Sequence, residues 1–542
     1  MFGVAIFKYA ERIWSLQRAS MSSLRSSMIT KPDPGPNYAK FMQEYTSSNA
    51  AGLTAIIKVE AEKHKGDLES QQPKESTLSE SAKKYDEVVR KAYKFFPTFK
   101  RLFVDLILSY KNREDSQKYF EGLTSNDAYK LIEIELSWMY EILHSKGSVI
   151  YAFKHYGWVS RVITLFIITA TLCIFAVSDH TGYGGFETTL TYVLLGGAVG
   201  LEIIALVFML LSLWTYAALK ESNSFGCLSH FLFSILVKLR PETKPRWSDK
   251  MAQYSLITYS LKDQPCCWKS IIKSIGFKET WDNYRYTTYV TVKDGLKNLV
   301  FQELKNKMNS IEDTASYRRF TSHRGQWALQ RKGYYQEFGW SVEAEFDESI
   351  LLWHIATDLL FHEKSKVHDE KREISKDISN YMLFLLIVRP FMMPAGIGQI
   401  RFGDTCAEAT NFLQQYGVIN MDDASRMILE VSTEYDPALV KGDRSKSVLF
   451  RGCMLAHDLK EQFKITENGE GDWDKMWKLI SVVWVEILCY AASKCSGQYH
   501  AKQLSKGGEL LTVIWFLMAH LGMGEQYRIE EGHARAKLIV SK

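Results

Sequence analysis

Two apolar runs decide how this chain is read: Val162–Ser178 (VITLFIITATLCIFAVS) and Thr188–Leu219 (TTLTYVLLGGAVGLEIIALVFMLLSLWTYAAL), joined by a short glycine-rich loop. The first holds seventeen uncharged residues, about 25 Å of helix at about 1.5 Å per residue. The second has thirty-two residues and a single charge, Glu202. Such runs predict a transmembrane helical hairpin, with helices at about 160–178 and 191–216. Arg161 is placed to snorkel at the entry of the first helix. Tyr192 and Trp214 are expected as interface anchors about 33 Å apart, a frame that puts Glu202 near the middle.

An acid at mid-membrane costs about 2.5–3.5 kcal/mol on insertion scales, so it calls for a partner or a function. Gly196-x-x-x-Gly200 offers a small-residue packing face. At about 100° per residue, Glu202 points about 120° from Gly196 and about 160° from Gly200. One neighbour cannot satisfy both faces, so further transmembrane helices are expected as partners, from a second copy or another protein. The loop Asp179–Glu187 carries no Lys or Arg, whereas Lys146, Lys154 and Arg161 precede the hairpin and Lys220, Lys238 and Arg240 follow it. The positive-inside rule then places both termini in the cytosol. It leaves endoplasmic reticulum and plasma membrane open.

Around the hairpin the composition is that of an aqueous protein: 542 residues, 46% hydrophobic and 24% charged, with a net charge of +5. A balance this small excludes a dedicated nucleic-acid binder. The eight cysteines are scattered, one within an apolar run, which reads as reduced thiols rather than a disulfide framework. No Asn-x-Ser/Thr acceptor occurs. Met1–Phe7 is apolar but lacks the features of a signal peptide, and reads as the tail of a membrane helix.

Most of the remaining chain reads as helix. Ser20–Pro36, ending in Lys31-Pro-Asp-Pro-Gly-Pro36, is an extended loop, and 58–84 a polar linker. Phe95, Phe99, Leu102, Phe103, Leu106, Ile107 and Tyr110 fall at helical spacing. So do Ile132, Leu136, Met139 and Leu143 in Asp127–His144, Leu352 to Leu359 in Ser349–His362, and Trp473 to Ala491. Tyr381–Val388 and Glu509–Leu521 are too short to span and predict buried core helices. Thr405-Cys-Ala-Glu408 has the form of a capping box that starts a helix. The fold class is therefore all-α, a transmembrane hairpin plus a large helical cytosolic body.

Tyr317–Gln336 interleaves Arg318, Arg319, Arg324, Arg331 and Lys332 with aromatics and has no acid. This pattern suits anionic lipid headgroups. Cys266-Cys267-Trp268 is a candidate for lipidation. His354, Asp358 and His362, spaced i, i+4, i+8, line one helical face as weak metal candidates without a converging fourth ligand. Cys489, Cys495 and His500 lack zinc spacing, and Gly396-x-Gly398 does not complete a dinucleotide fingerprint. No P-loop, nucleophile elbow or HExxH occurs. Neither a catalytic set nor a cofactor is therefore expected.

Several longer motifs point to a family: Phe7-Lys-Tyr-Ala-Glu-Arg-Ile-Trp14, Asp33-Pro-Gly-Pro-Asn-Tyr38, Arg101-Leu-Phe-Val-Asp-Leu106 and Ile132-Glu-Ile-Glu-Leu136. Leu352-Trp-His-Ile-Ala-Thr357, Arg389-Pro-Phe-Met-Met-Pro394 and Ile400-Arg-Phe-Gly403 follow. Trp484-Val-Glu-Ile-Leu-Cys-Tyr-Ala-Ala492, His500-Ala-Lys-Gln-Leu504 and Gly507-Gly-Glu-Leu-Leu511 come last. The chain resembles plant membrane proteins that carry domain of unknown function 4220 followed by domain of unknown function 594. That resemblance implies a multi-pass membrane protein without an assigned activity, whose members begin with membrane helices that would precede Met1. It divides the chain into a 4220-like region at 1–345, a helical connecting region at 346–472, a 594-like region at 473–530 and a tail at 531–542. The expected role is a membrane-anchored scaffold or regulator. A transporter or channel subunit using Glu202 and a membrane-tethered enzyme are the alternatives.

Overall fold

The computed structural model describes residues 2–29, 38–50, 54–61, 80–150, 156–179, 182, 184–221, 235, 246–262, 278–310, 322–363, 369–418, 420–441, 448–466, 470–524, 527–529 and 534–541. Among these the chain is almost wholly helical, with three two-stranded sheets. The expected lipidation pair Cys266-Cys267, the loop Lys31–Pro36 and the basic residues Arg318 and Arg319 lie outside the described residues.

The body forms around helices that are buried on nearly every face. Trp473–Lys494 packs against Glu370–Val388 and Leu510–His520, and Phe346–Phe361 packs against Glu370–Val388 and Leu449–Gln462. Their apolar side chains come from all sides of each helix, as a central position demands. Two of the large rings in this core are tied by hydrogen bonds: Trp484 Nε1 donates to Thr357 Oγ1 at 3.0 Å, and Trp353 Nε1 to Ser341 Oγ at 3.1 Å. The expected core helices are thus present, including Ser125–His144 with Ile132, Leu136, Met139 and Leu143 buried. All five described cysteines are free.

Several boundaries differ from expectation, each for a local reason. Phe95–Tyr110 is not one helix. The α-helix Glu80–Phe99 passes into a 3-10 turn, Lys100–Val104, that ends at Asp105 with a left-handed φ of 54°. Asp105 Oδ1 then accepts from Gly497 N at 2.9 Å, so the kink serves a long-range contact. Thr405 does not start a helix. It lies inside Gly398–Gln415, with its hydroxyl returned to the Arg401 carbonyl at 2.7 Å. Ser20 caps a short helix, Met21–Met28, in what reads as loop. Residues 58–61 of the expected linker belong to the strand Thr54–Ala61, which pairs antiparallel with Ala534–Ser541 of the expected tail.

Among the described residues, three helices have the length and composition to cross a membrane. One of them, Trp473–Lys494, is 83% buried in the body and is a core helix, as its aromatic stripe predicts. The other two, Tyr156–Val177 and Gly185–Leu210, form an antiparallel hairpin that stands outside the core. The second does not continue to Leu219. Ser212 interrupts it by acting as an N-cap, its Oγ accepting from Trp214 N at 3.2 Å, and Leu213–Glu221 restarts as a helix embedded in the body.

Gly497 packs so tightly on the 3-10 turn that a Cβ there would collide with the Leu102 carbonyl oxygen, whereas a Cβ on Gly403 meets nothing within 4 Å. Gly497→Ala should therefore destabilise the chain by about 1–3 kcal/mol. Gly403→Ala, in an exposed helical turn, should be neutral or stabilising by up to about 1 kcal/mol. Thermal unfolding of the two variants checks the opposite signs.

Candidate functional site

Beyond Glu187, exposed at the loop end, the hairpin helices carry two charges, Arg161 and Glu202, and both face inward. Arg161 lies sixteen residues before Val177 and Glu202 seventeen after Gly185, so each stands about 25 Å from the loop end. Glu202 is therefore displaced toward the body, away from the middle that a continuous span to Trp214 suggests. Leu195, Glu202 and Met209 recur every seven residues and form the buried stripe of the second helix. Thr164 and Ile168 are buried on the first.

The partner that Glu202 requires is supplied within the chain. The N-terminal helix Phe2–Ala19 lies against the hairpin base, and Lys8 Nζ pairs with Glu202 Oε1. Arg161 bridges two carboxylates, with Nη1 3.5 Å from Glu202 Oε2 and Nη2 3.6 Å from Glu11 Oε2. Lys146 completes the chain of charges at 2.7 Å from Glu11. Glu11 and Glu202 are only 4% and 2% exposed, so the ion pairs form where water is scarce. Phe2–Phe7 is accordingly part of this docked helix, and Arg161, with its side chain 12% exposed, turns toward carboxylates rather than snorkelling outward.

Other predicted residues fall as follows. Tyr192 packs edge-on against Phe175 across the hairpin, with ring centroids 5.1 Å apart. Trp214 belongs to the body, 5.2 Å from Phe96 and 5.4 Å from Trp138, because the Ser212 cap redirects the chain. Gly196 and Gly200 face open space, with nothing within 4 Å of a Cβ built on either. In the basic segment, Arg324 Nη2 donates to the Glu343 carbonyl at 3.1 Å. Arg331 pairs with Glu303 and stacks over Trp327 at 4.3 Å. Lys332 is half-buried, and burial, then Arg331 and Lys478, hold its amine below the usual range. The described part of that segment is stitched into the body.

His354, Asp358 and His362 do share a face, but their bonding is already committed. His354 Nε2 accepts from Leu256 N at 3.2 Å, which leaves Nδ1 to donate to Ser379 Oγ at 2.9 Å. No lone pair remains for a metal on that ring. Burial lowers its basicity, so it stays neutral. Asp358 accepts from Ser255 Oγ at 2.9 Å and lies 3.7 Å from Lys376. Among the described residues no group of three His, Cys, Asp or Glu side chains has metal-binding geometry. The Gly396-x-Gly398 pair is explained by packing: a Cβ on Gly398 would come within 2.5 Å of Leu386 and 3.2 Å of Asp347.

One cluster escaped the sequence reading because its members are remote in the chain. His520, fully buried, stacks on Phe99 at 3.7 Å, with Nδ1 2.9 Å from Ser116 Oγ and Nε2 2.7 Å from Glu135 Oε2. Burial pushes the basicity of His520 down and the carboxyl of Glu135 up, each away from its charged form. His500 is similar. Its Nε2–H donates to the Ala492 carbonyl at 3.4 Å, Nδ1 lies 3.1 Å from Thr512 Oγ1, and the ring stacks on Trp515 at 4.3 Å.

Two family models match the chain. Residues 1–259 match "Domain of unknown function (DUF4220)", and residues 470–523 match "Protein of unknown function, DUF594". The chain is thus a mainly helical protein that carries these two regions in that order. No curated protein and no solved structure matches it.

Two outcomes follow. Glu202→Leu leaves Lys8 and Arg161 short of a counter-charge and should cost about 3–5 kcal/mol, whereas Lys8→Leu combined with Glu202→Leu should cost less; unfolding of detergent-solubilised protein measures the difference. His500, held down to about 3 by burial, stays neutral in the fold while the unfolded chain takes up a proton below about 6.5. Stability should therefore fall on acidification from about pH 6.5, by about 1.4 kcal/mol per pH unit relative to His500→Gln. Parallel denaturant titrations between about pH 5 and 7 test that slope.

Proposed function

We propose that this chain is an integral membrane protein in which the hairpin anchors a helical cytosolic body that acts as a scaffold or regulator. The observation that carries the reading is the contrast in burial. The two hairpin helices are each 17% buried over their most apolar windows, while Trp473–Lys494 is 83% buried. Phe166, Ile174, Val177, Leu201 and Phe208 face outward, an apolar surface that water would not tolerate at this extent. A bilayer gives that surface a solvent, since helices of 22 and 26 residues are long enough for its hydrocarbon core.

The charge pattern supports an orientation with both termini in the cytosol. Lys8, Lys146 and Arg161 gather at the base of the hairpin, and the loop end lacks basic residues. The open Gly196 and Gly200 face is where we place further transmembrane helices, from a second copy or another protein. Glu202 supports anchoring better than transport, because its carboxylate is held by Lys8 and Arg161 instead of lining an open path.

The chain should stay with the membrane pellet after alkaline extraction. Phe166→Arg combined with Phe208→Arg should abolish that retention, each costing about 2–4 kcal/mol of insertion free energy. Gly182→Cys, placed in the loop of a chain whose eight native cysteines are replaced by alanine, should react with a membrane-impermeant thiol reagent only from the non-cytosolic side. Release of the wild-type chain by alkali, or labelling from the cytosolic side, would overturn the reading.

A further inference from the structure

A cavity of about 320 Å³ lies between the two family regions. One wall comes from residues 133–140 and 246–248, within the match at 1–259, and the other from 504–513, within the match at 470–523. No described residue of the long stretch between the two matched regions lines it. Leu136, Tyr140, Trp247, Leu504 and Val513 make it mainly apolar. Its size falls at the lower end of pockets that hold small organic ligands.

The loop Gly507-Gly508 shapes the rim. Both glycines have left-handed φ angles, 93° and 82°. Gly507 O accepts from Ser248 N at 2.9 Å, and a Cβ on Gly508 would press on Trp247 at 3.4 Å. Glu133 and Glu509 line the cavity from opposite regions. Each carboxylate is fixed by one side-chain donor: Trp247 Nε1 to Glu133 Oε1 at 3.2 Å, and Tyr381 OH to Glu509 Oε2 at 3.1 Å. A carboxylate offers about four acceptor positions, so both retain unused capacity.

Two hydroxyl donors in the wall are spent elsewhere, and Arg246 turns one guanidinium nitrogen away. Ser137 and Ser505 give their hydroxyl protons to the carbonyls of Ile134 and Lys502, at 2.7 and 2.8 Å. Arg246 directs Nη2 to Tyr85 OH at 3.2 Å, and its backbone N–H donates to Glu133 Oε2 at 3.5 Å, which leaves that carboxylate its remaining lone pairs. The cavity thus presents acceptors on an apolar floor, and its natural complement brings donors on an apolar body. Burial holds both Glu133 and Glu509 above the usual carboxylate range, a cost that a bound positive charge would relieve.

We infer that this inter-region cavity binds a small amphipathic organic cation, an amine carried on an apolar body, with Glu133 and Glu509 as its ammonium acceptors and Trp247 and Tyr140 as its apolar walls. Both matched regions supply one carboxylate, so neither forms the site alone.

Calorimetry on the detergent-solubilised full chain tests this with three probes of one shape: 2-phenylethylamine, 2-phenylethanol and 3-phenylpropionate. The amine should bind, roughly tenfold or more tighter than the alcohol, and the acid weakest. Glu133→Gln and Glu509→Gln should each weaken the amine by roughly tenfold while leaving the alcohol unchanged. Amine affinity should fall on acidification as the carboxylates take up protons. Ser505→Trp, at the exposed rim, should block the amine without touching either carboxylate and keeps the test independent of any folding defect in the glutamine variants. Equal affinity for the three probes, preference for the acid, no binding of the amine to the wild-type chain, or unchanged amine binding in all three variants would each overturn the inference.

Discussion

The position of the hairpin depends on Arg161, whose guanidinium lies between the buried carboxylates of Glu11 and Glu202. Charges on apolar helices are costly unless paired, and the cost enforces geometry. If the second hairpin helix turned by one residue, Glu202 would swing by about 100° out of the stripe that it shares with Leu195 and Met209. It would then lose both cations. The N-terminal helix is fixed by the same contacts, since Lys8 and Glu11 sit one turn apart and reach different members of the network. The N-terminal helix and the two hairpin helices thereby acquire one relative height and one rotation. Dispersion between their greasy faces alone would not specify either.

Within the body the specifying contacts are of another kind. The buried polar groups of the core helices are mostly neutral and singly matched: Trp484 to Thr357, Trp353 to Ser341, His354 to Ser379 and to the Leu256 amide. Where a full ion pair is buried, as Lys307 with Glu486 at 3.2 Å, the carboxylate also accepts from the Ala328 amide at 2.7 Å. Arg401, 2% exposed, meets Glu345 and Asp347 at 2.8 and 2.7 Å. A half-satisfied network would be worse than an apolar core, so these pairings define which helix faces which. The same accounting removes His354 from any metal site, because its ring nitrogens are consumed by structure.

How much of this was legible in the sequence depends on the range of the interaction. The hairpin and the buried helices were legible, since long uncharged runs and 3.6-residue periodicity are local signals. The break at Ser212 was also locally encoded, as a serine N-cap, but a thirty-two-residue run with a single charge hid it. Pro97 and the left-handed Asp105 end a helix that periodicity alone carries on to Tyr110. The Thr405 capping box failed for the opposite reason: its residue types are right, yet the helix already begins at Gly398. The partner of Glu202 was not legible at all, because Lys8 is 194 residues away. Need for a partner can be read from one helix; its identity cannot. Arg331 shows the same limit, since nothing near it in sequence announces Glu303.

The two matched regions are better understood as one folding unit than as neighbours on a string. Phe99 and Phe103 from the first region pack directly on Phe516 and Trp515 from the second, with centroids 5.1–6.1 Å apart. Ser116 and Glu135 close around His520 at 2.9 and 2.7 Å, and Asp105 holds the amide of Gly497. Each of these groups would be a buried, unmatched polar atom or an exposed aromatic face if its counterpart were removed. The smaller region, with Leu510–His520 buried along its whole length, has no apolar surface of its own large enough to cover that helix. Its core is completed by the larger region, and the cavity at 133–140 and 504–513 lies on the same seam.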